Sequence, residues 1–242
     1  MAELGHDKKP YVRGICEISG ITVWLVDGEY VRKNICEDFV NYDHHHHLKF
    51  IPENEFWIAE GTSEEEIEFY TDRMLIEHRL ISSGMGYDDA CKKAANFEKR
   101  ERAKSEMIKK LGQARENKQE LIERVHKELL DKYSGRVKVW VVNGELVRSL
   151  FYTDFGGGGH DKVYHFIPDN EIWIDDDIAP EERKFIVLHE LHERNLMSGG
   201  MDYPKAHKSA TRVEDLCRHK TGETDDAISE EIKKQELPEK KG

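Results

Sequence analysis

A five-residue stretch of the chain reads His-Glu-Leu-His-Glu and gathers side chains that bind metal ions. On an α-helix, residues three and four positions apart share a face, so His189, His192 and Glu193 would project together with Glu190 beside them. Two imidazoles, or an imidazole and a carboxylate, one turn apart are the ligands that zinc or another divalent transition metal takes from one helix. His207 follows after a Gly-Gly turn. The sequence therefore predicts a metal site built by this helix and the segment after it.

The chain carries one pattern twice. Residues 21–98 align without a gap on residues 137–214, a shift of 116 positions. The matched positions include tryptophans, turn residues and apolar residues, which predicts the same fold for both copies. These matches include Trp24 with Trp140, Phe50-Ile51-Pro52 with Phe166-Ile167-Pro168, Trp57-Ile58 with Trp173-Ile174, and Gly84-Met85 with Gly200-Met201.

The copies differ where the His/Glu group lies. A metal site that loses one ligand loses the reason for the others, so concerted replacement is what a shared site predicts. The first copy has different residues at four of these positions, in the pairs His189/Arg73, Glu190/Met74, His192/Ile76 and His207/Cys91.

The third ligand is left open by the sequence. Glu193 has a counterpart in Glu77 and can therefore be structural, so His189 and His207 are joined either by Glu193 or by His192. Two nitrogens bound to one zinc lie about 3 to 4.5 Å apart, and this separation is expected between His189 and His207.

Two more residues are secondary metal candidates, and each has a counterpart in the first copy. Glu214, which matches Glu98, can also serve by orienting His207. His160, which matches His44, either belongs to the scaffold or reaches the site from the end of a four-glycine run.

The pattern His-Glu-x-x-Glu from His189 to Glu193 resembles the His-Glu-x-x-His helix of zincin metallohydrolases. The resemblance implies zinc bound by the outer residues, Glu190 as general base on the bound water, and His207 as the ligand from the following helix. Glu193 stands where that family usually has its second histidine. The block from Phe166 to His207 also resembles uncharacterised proteins of prokaryotes and their phages.

Periodicity predicts strands followed by helices in each copy. Each early strand ends in Asp-Gly or Asn-Gly, which indicates a hairpin turn. Glu29–Val31 and Glu145–Val147 would then be returning strands. In the second copy, a helix is expected from about Pro180 to the Ser198-Gly199-Gly200 stop, and another from Asp202 to about Glu214.

The predicted fold class is α+β, a tandem duplication in which β-hairpins precede two helices. The expected divisions are a degenerate first repeat at 11–98, a charged helical connector at 99–134, a second repeat with the His/Glu cluster at 135–218, and a disordered tail at 219–242. The tail prediction rests on its shortage of apolar residues.

Composition narrows the classes of protein. The formal net charge of −12 disfavours nucleic acid as a partner. The chain contains no run of about 18 apolar residues, which a membrane span would need, and its first residues show no signal-peptide pattern. We therefore expect a cytoplasmic protein. Four scattered cysteines without a CxxC pair suggest reduced thiols.

Two functions from different classes fit the sequence. The first is a zinc-dependent hydrolase acting in the second repeat on a protein or peptide, a substrate class implied by the zincin resemblance. The alternative is a non-enzymatic binding or inhibitory protein, of phage or prokaryotic type, with a structural metal site or a polar patch. An open coordination position would favour the enzyme, and closed four-coordinate ligation the binding protein. The sequence does not indicate the oligomeric state.

Overall fold

The computed structural model describes residues 9–105, 108, 117–220 and 222–235. The chain divides into two compact units. Unit 1 comprises residues 1–116 together with Arg148–Asp154, and unit 2 comprises Asn117–Val147 and residues 155–242.

Unit 1 contains a four-stranded sheet in the order β1-β2-β4-β3, with β2 and β4 parallel and the other pairs antiparallel. Two long helices follow the sheet. The elements are β1 (Tyr11–Ile18), β2 (Ile21–Val26), α1 (Gly28–Asn34), β3 (Tyr42–His44), β4 (Glu55–Ala59), α2 (Glu64–Ser82) and α3 (Tyr87–Arg102).

Unit 2 repeats this arrangement, with the sheet order β5-β6-β8-β7 and the same central parallel pair. Thr22 pairs with Glu55 in unit 1, and Lys138 pairs with Glu171 in unit 2, so the register is also repeated. The predicted α+β duplication is confirmed. The elements are α4 (Lys118–Val125), β5 (His126–Leu129), β6 (Lys138–Val142), α5 (Gly144–Leu150), β7 (Gly158–His160), β8 (Glu171–Asp175), α6 (Arg183–Ser198), α7 (Tyr203–His219) and α8 (Thr224–Lys234).

The predicted returning strands after the Asp-Gly and Asn-Gly pairs are wrong, because both segments are helical. The side chain of Asp27 accepts a hydrogen bond from the Tyr30 backbone N–H at 2.8 Å and begins α1 as its N-cap. Asn143 accepts from the Leu146 backbone N–H at 2.8 Å in the same way. In unit 1 the hairpin instead forms one strand earlier, between β1 and β2.

The predicted connector at 99–134 is not a separate element. α3 continues to Arg102, and unit 2 begins at Asn117 rather than at 135. His126–Leu129 forms the edge strand β5, which pairs antiparallel with β6. The connector residues 106, 107 and 109–116 lie outside the described residues.

The predicted disorder of the tail is wrong for Thr224–Lys234, which forms α8 on unit 2. Ile228 of this helix is 1% exposed and belongs to the core of unit 2. A short helix with few apolar residues therefore still packs on the unit. Residue 221 and residues 236–242 lie outside the described residues.

The helices that carry the His/Glu group are placed by their apolar faces. Val187, Leu188 and Leu191 on α6 are fully buried against Ile172 and Ile174 of β8. Because these residues face the sheet, His189 and Glu193 are turned toward α7. The predicted end of α6 is confirmed, while α7 runs beyond Glu214 to His219.

Two local signals separate α6 from α7. Gly200 has a φ of +94°, which glycine adopts at the end of a helix without steric cost. The Asp202 side chain accepts from the Lys205 backbone N–H at 3.1 Å and caps α7. Across the described residues, no helix has the length and apolar character needed for a membrane span.

Candidate metal centre

Three ligand atoms of unit 2 converge on one point. His189 Nε2 lies 3.1 Å from His207 Nδ1, and His207 Nδ1 lies 2.8 Å from a Glu193 carboxylate oxygen. The third edge of the triangle, from His189 Nε2 to the same Glu193 oxygen, is 3.5 Å. Ligands about 2.05 Å from a tetrahedral zinc lie about 3.3 Å from one another. The expected approach of His189 and His207 is therefore confirmed, and the triangle has the size of a zinc site.

The three side chains differ in their access to solvent. The side chain of His189 is 11% exposed and that of Glu193 is 4% exposed, whereas the His207 side chain is 44% exposed. The triangle is thus closed on the side of α6 and open beside α7. A small molecule can reach the centre past His207.

Glu214 holds His189 rather than His207, the partner considered from the sequence. Its carboxylate lies 2.9 Å from His189 Nδ1 and accepts that N–H. In the neutral ring, this bond keeps the proton on Nδ1 and leaves the Nε2 lone pair directed toward the triangle. Arg218 donates to the other carboxylate oxygen of Glu214 at 2.8 and 3.0 Å, and so fixes the carboxylate itself.

His160 plays the same supporting role for Glu193. The backbone N–H of Lys162 donates to His160 Nδ1 at 3.1 Å, so in the neutral ring the proton resides on Nε2. That N–H donates to Glu193 at 3.0 Å. His160, Glu190 and Glu193 offer oxygen and nitrogen atoms close enough for a cation. The tautomer nevertheless assigns His160 to orienting Glu193.

The hydrogen bonds of the cluster shift its protonation. Burial alone would lower the pKa of His189, but hydrogen bonds with Glu193 and Glu214 outweigh burial and raise this pKa to about 10. Burial likewise opposes the charge on Glu193 and Glu214, yet their hydrogen bonds, foremost from His160 and His189 respectively, hold both pKa values below the usual range. Without a metal, the protonated His189 ring balances part of this negative charge, and a bound cation would take over that role by displacing the Nε2 proton.

Glu190 lies next to the triangle but is not tied into its network. The residue is 8% exposed, and its carboxylate makes no hydrogen bond to the residues that the structure describes. Burial raises the pKa of this carboxyl above its usual value, opposed by the nearby imidazoles of His189 and His160. A buried carboxylate with unused lone pairs beside a metal centre is suited to accept a proton.

His192 is not brought into the triangle. Its Nδ1 lies 2.8 Å from a Glu231 carboxylate oxygen on α8, and its Nε2 lies 3.0 Å from the Ser209 hydroxyl on α7. His192 therefore links three helices of unit 2. Its difference from Ile76 in the first copy reflects this polar contact, so of the two open alternatives for the third ligand the geometry favours Glu193.

Unit 1 has counterparts of the supporting residues of this centre but has different residues at the positions of His189 and His207. His44 Nε2 lies 3.0 Å from Glu77, as His160 does from Glu193. Arg73 stands at the position of His189 and donates to Glu77 at 2.9 Å and to Glu98 at 3.1 Å. Arg73 also pairs with Asp154 of the same unit. A guanidinium thus neutralises the carboxylates that correspond to Glu193 and Glu214.

The alignment of the two copies pairs Gly158 with Tyr42, a difference that was not predicted to matter for the centre. In unit 1 the Tyr42 ring stacks on Tyr70 at 4.1 Å and lies beneath the Arg73 guanidinium. In unit 2 a Cβ at Gly158 would meet Ile186 at 2.8 Å and Glu190 at 3.2 Å. The four-glycine run therefore makes room for Glu190, and the Tyr42/Gly158 pair in the alignment carried this signal.

Comparisons with protein families, with curated proteins and with solved structures found no match for this chain.

Proposed function

We propose that unit 2 is a metal-dependent hydrolase, with zinc held by His189, Glu193 and His207. One observation carries this proposal. The buried carboxylates of unit 1 are neutralised by the permanent charge of Arg73, whereas the matching position of unit 2 holds His189, whose Nε2 proton a metal ion can displace. A divalent ion bound in place of that proton would supply in unit 2 the positive charge that Arg73 supplies in unit 1.

The donor set fits zinc, because imidazole and carboxylate are among its usual protein ligands. Three protein ligands are typical of a catalytic zinc, whose fourth position is left for water or substrate. His160 and Glu214 are already committed to orienting ligands, and His207 leaves the centre open to solvent. These features favour the enzyme over a structural metal site.

Zinc at this centre would lower the pKa of bound water and polarise a substrate carbonyl. The chain supplies the proton transfers. Glu190 takes the proton of the attacking water and passes it to the leaving group, since its carboxylate makes no hydrogen bond to another residue that the structure describes. His160 and Glu214 keep Glu193 and His189 in place. A peptide or amide bond is the substrate that the zincin resemblance suggests.

Elemental analysis after exhaustive dialysis tests the metal. We expect one zinc per chain in the parent protein and none in His189→Ala. His192→Ala is the matched control, because it removes an imidazole one turn away on α6 that lies outside the triangle. Loss of zinc from both variants alike, or absence of metal from the parent protein, would contradict the proposed ligand set.

Hydrolysis is measured on fluorescently labelled, denatured casein with the zinc-loaded protein. Cleavage that disappears on chelation and returns with zinc supports the enzyme. Zinc bound with four protein ligands, measured by X-ray absorption, together with intact casein would instead support the structural metal site of a binding protein.

A further inference from the structure

A cavity lies in unit 2, on the side of α6 that faces α8. This cavity has a volume of about 470 Å³. Cavities of this size accommodate small organic molecules. We call it the basic cavity, because its described lining includes four cationic side chains and a single carboxylate, that of Glu231. The four cations are Arg136, Lys162, Arg194 and Lys234.

Contacts with neighbouring side chains hold three of the four cations of the basic cavity in place. Arg194 donates to Asp161 at 2.6 and 3.0 Å and to the Asn170 side chain at 3.1 Å. Lys162 pairs with the same Asp161 at 3.2 Å, and Lys234 pairs with Glu231 at 2.6 Å. The Lys162 and Lys234 side chains are still 40% and 52% exposed, so their ammonium groups can contact a ligand.

The wall of the cavity also holds an amide without an acceptor. Gln235 is 8% exposed, and its Oε1 accepts from the Val137 backbone N–H at 3.3 Å, which fixes the orientation of the amide. Its Nε2 has no acceptor among the described residues. A buried donor without a partner is costly, and an oxygen of a bound ligand would relieve that cost.

Four cations outnumber the carboxylates of Glu231 and Asp161 that pair with them, so positive charge predominates in the cavity. A cleft in which one sign of charge predominates focuses the electrostatic potential, and guanidinium and ammonium groups are the usual ligands of phosphate and carboxylate. The chain as a whole carries a net charge of −12, so a cationic cavity runs against its general character. We infer that the basic cavity binds a small organic molecule through an oxyanion, a phosphoryl or a carboxyl group. This inference does not rest on the metal centre.

Isothermal titration calorimetry at constant ionic strength tests it, with inorganic phosphate and succinate as separate probes on the full chain. We expect saturable binding of one anion per chain by at least one probe, weakened tenfold or more in the double variant Arg136→Gln/Lys162→Gln. Binding of phosphate alone assigns a phosphoryl ligand, and binding of succinate alone a carboxylate ligand.

Lys127→Gln is the matched control, because Lys127 is also a half-exposed lysine of unit 2 paired with an aspartate, Asp176 at 2.7 Å. It should bind as the parent does, and Lys162→Arg should retain binding even if the double variant folds poorly. His189→Ala separates the two sites, since an anion held by the basic cavity still binds to this variant.

Three results would overturn the inference. The first is the absence of saturable binding by both probes. The second is equal weakening in the double variant and in Lys127→Gln. The third is binding only after residues 236–242 are removed, which would mean that the full chain itself closes the cavity.

Discussion

At the scale of single residues, comparison of the two copies distinguishes the candidate metal ligands from the residues that orient them. His160 and Glu214 have counterparts in His44 and Glu98, which hold the carboxylate framework in both units. The ligand positions themselves diverge, except for Glu193. Glu193 is retained because the carboxylate serves both arrangements: it can bind a metal in unit 2, and its counterpart Glu77 pairs with Arg73 in unit 1.

Glu190→Gln is expected to lower casein hydrolysis by about 10²- to 10⁴-fold, the usual contribution of acid–base catalysis. Glutamine has the size of Glu190 but cannot accept the proton of the attacking water. The zinc content and the melting temperature should stay near those of the parent, measured by elemental analysis and calorimetry. Undiminished hydrolysis would remove Glu190 from the proposed mechanism.

Glu214→Gln is expected to weaken zinc binding by about 10- to 100-fold, the usual effect of losing a group that orients a ligand. The amide is neutral and no longer fixes the His189 tautomer as a carboxylate does. Competition with a chromophoric chelator measures the affinity. Asp215→Asn, a change at the neighbouring and more exposed position on α7, is the control and should bind zinc as the parent does.

At the scale of elements, α8 packs on unit 2 through Ile228 and through polar contacts of one carboxylate with α6. Glu231 contacts His192 at 2.8 Å, Asn195 at 2.8 Å and Lys234 at 2.6 Å. Burial would raise the pKa of Glu231, but these hydrogen bonds outweigh burial and lower the pKa to about 2. The charged form of Glu231 therefore stabilises the folded state.

The sign of this shift predicts an acid-sensitive contribution. Because the folded-state pKa of Glu231 is depressed, its stabilisation is fully present above the unfolded pKa, near 4.5, and is lost as the pH falls toward 2. We expect Glu231→Gln to lower the free energy of unfolding at pH 6, by urea denaturation, and to differ little from the parent near pH 2. Glu230→Gln changes an exposed glutamate of the same helix and is the control. An equal difference at both pH values would refute the prediction.

At the scale of the whole molecule, the duplication offers a test by reconstruction. Unit 1 already has the His44–Glu77 pair and the Glu98–Arg102 pair, with Glu98 1% exposed and 2.7 Å from Arg102. It lacks the two imidazoles and contains Arg73 and Cys91 in their places. The unit therefore has the supports of a metal centre without its ligands.

Arg73→His together with Cys91→His is expected to raise the zinc content from one to two per chain. The reason is that the two changes remove the built-in cation and restore both imidazoles beside Glu77. Elemental analysis after dialysis is the measurement. Arg73→His alone should bind the second zinc more weakly because one ligand is missing, and an unchanged zinc content in the double variant would contradict the equivalence of the two centres.

The duplication, the helices α6 and α7 and the approach of His189 to His207 could be predicted from the sequence. Each depends on local periodicity, capping or comparison between copies, and these are visible in one dimension. The pairing of His189 with His207 could be predicted because their separation is spanned by one helix, one glycine turn and the start of the next helix.

The roles within the centre were decided by the tertiary structure. His160 is assigned to orienting Glu193 because the backbone N–H of Lys162 donates to its other ring nitrogen. His192 is excluded from the ligand set because it contacts Glu231 on α8, a helix that apolar content alone did not predict. The helices that replaced the predicted return strands depend on side-chain caps that compete with a hairpin turn. Spacing along a chain selects which residues can meet, whereas the hydrogen-bond partners that fix their protonation come from segments distant in sequence.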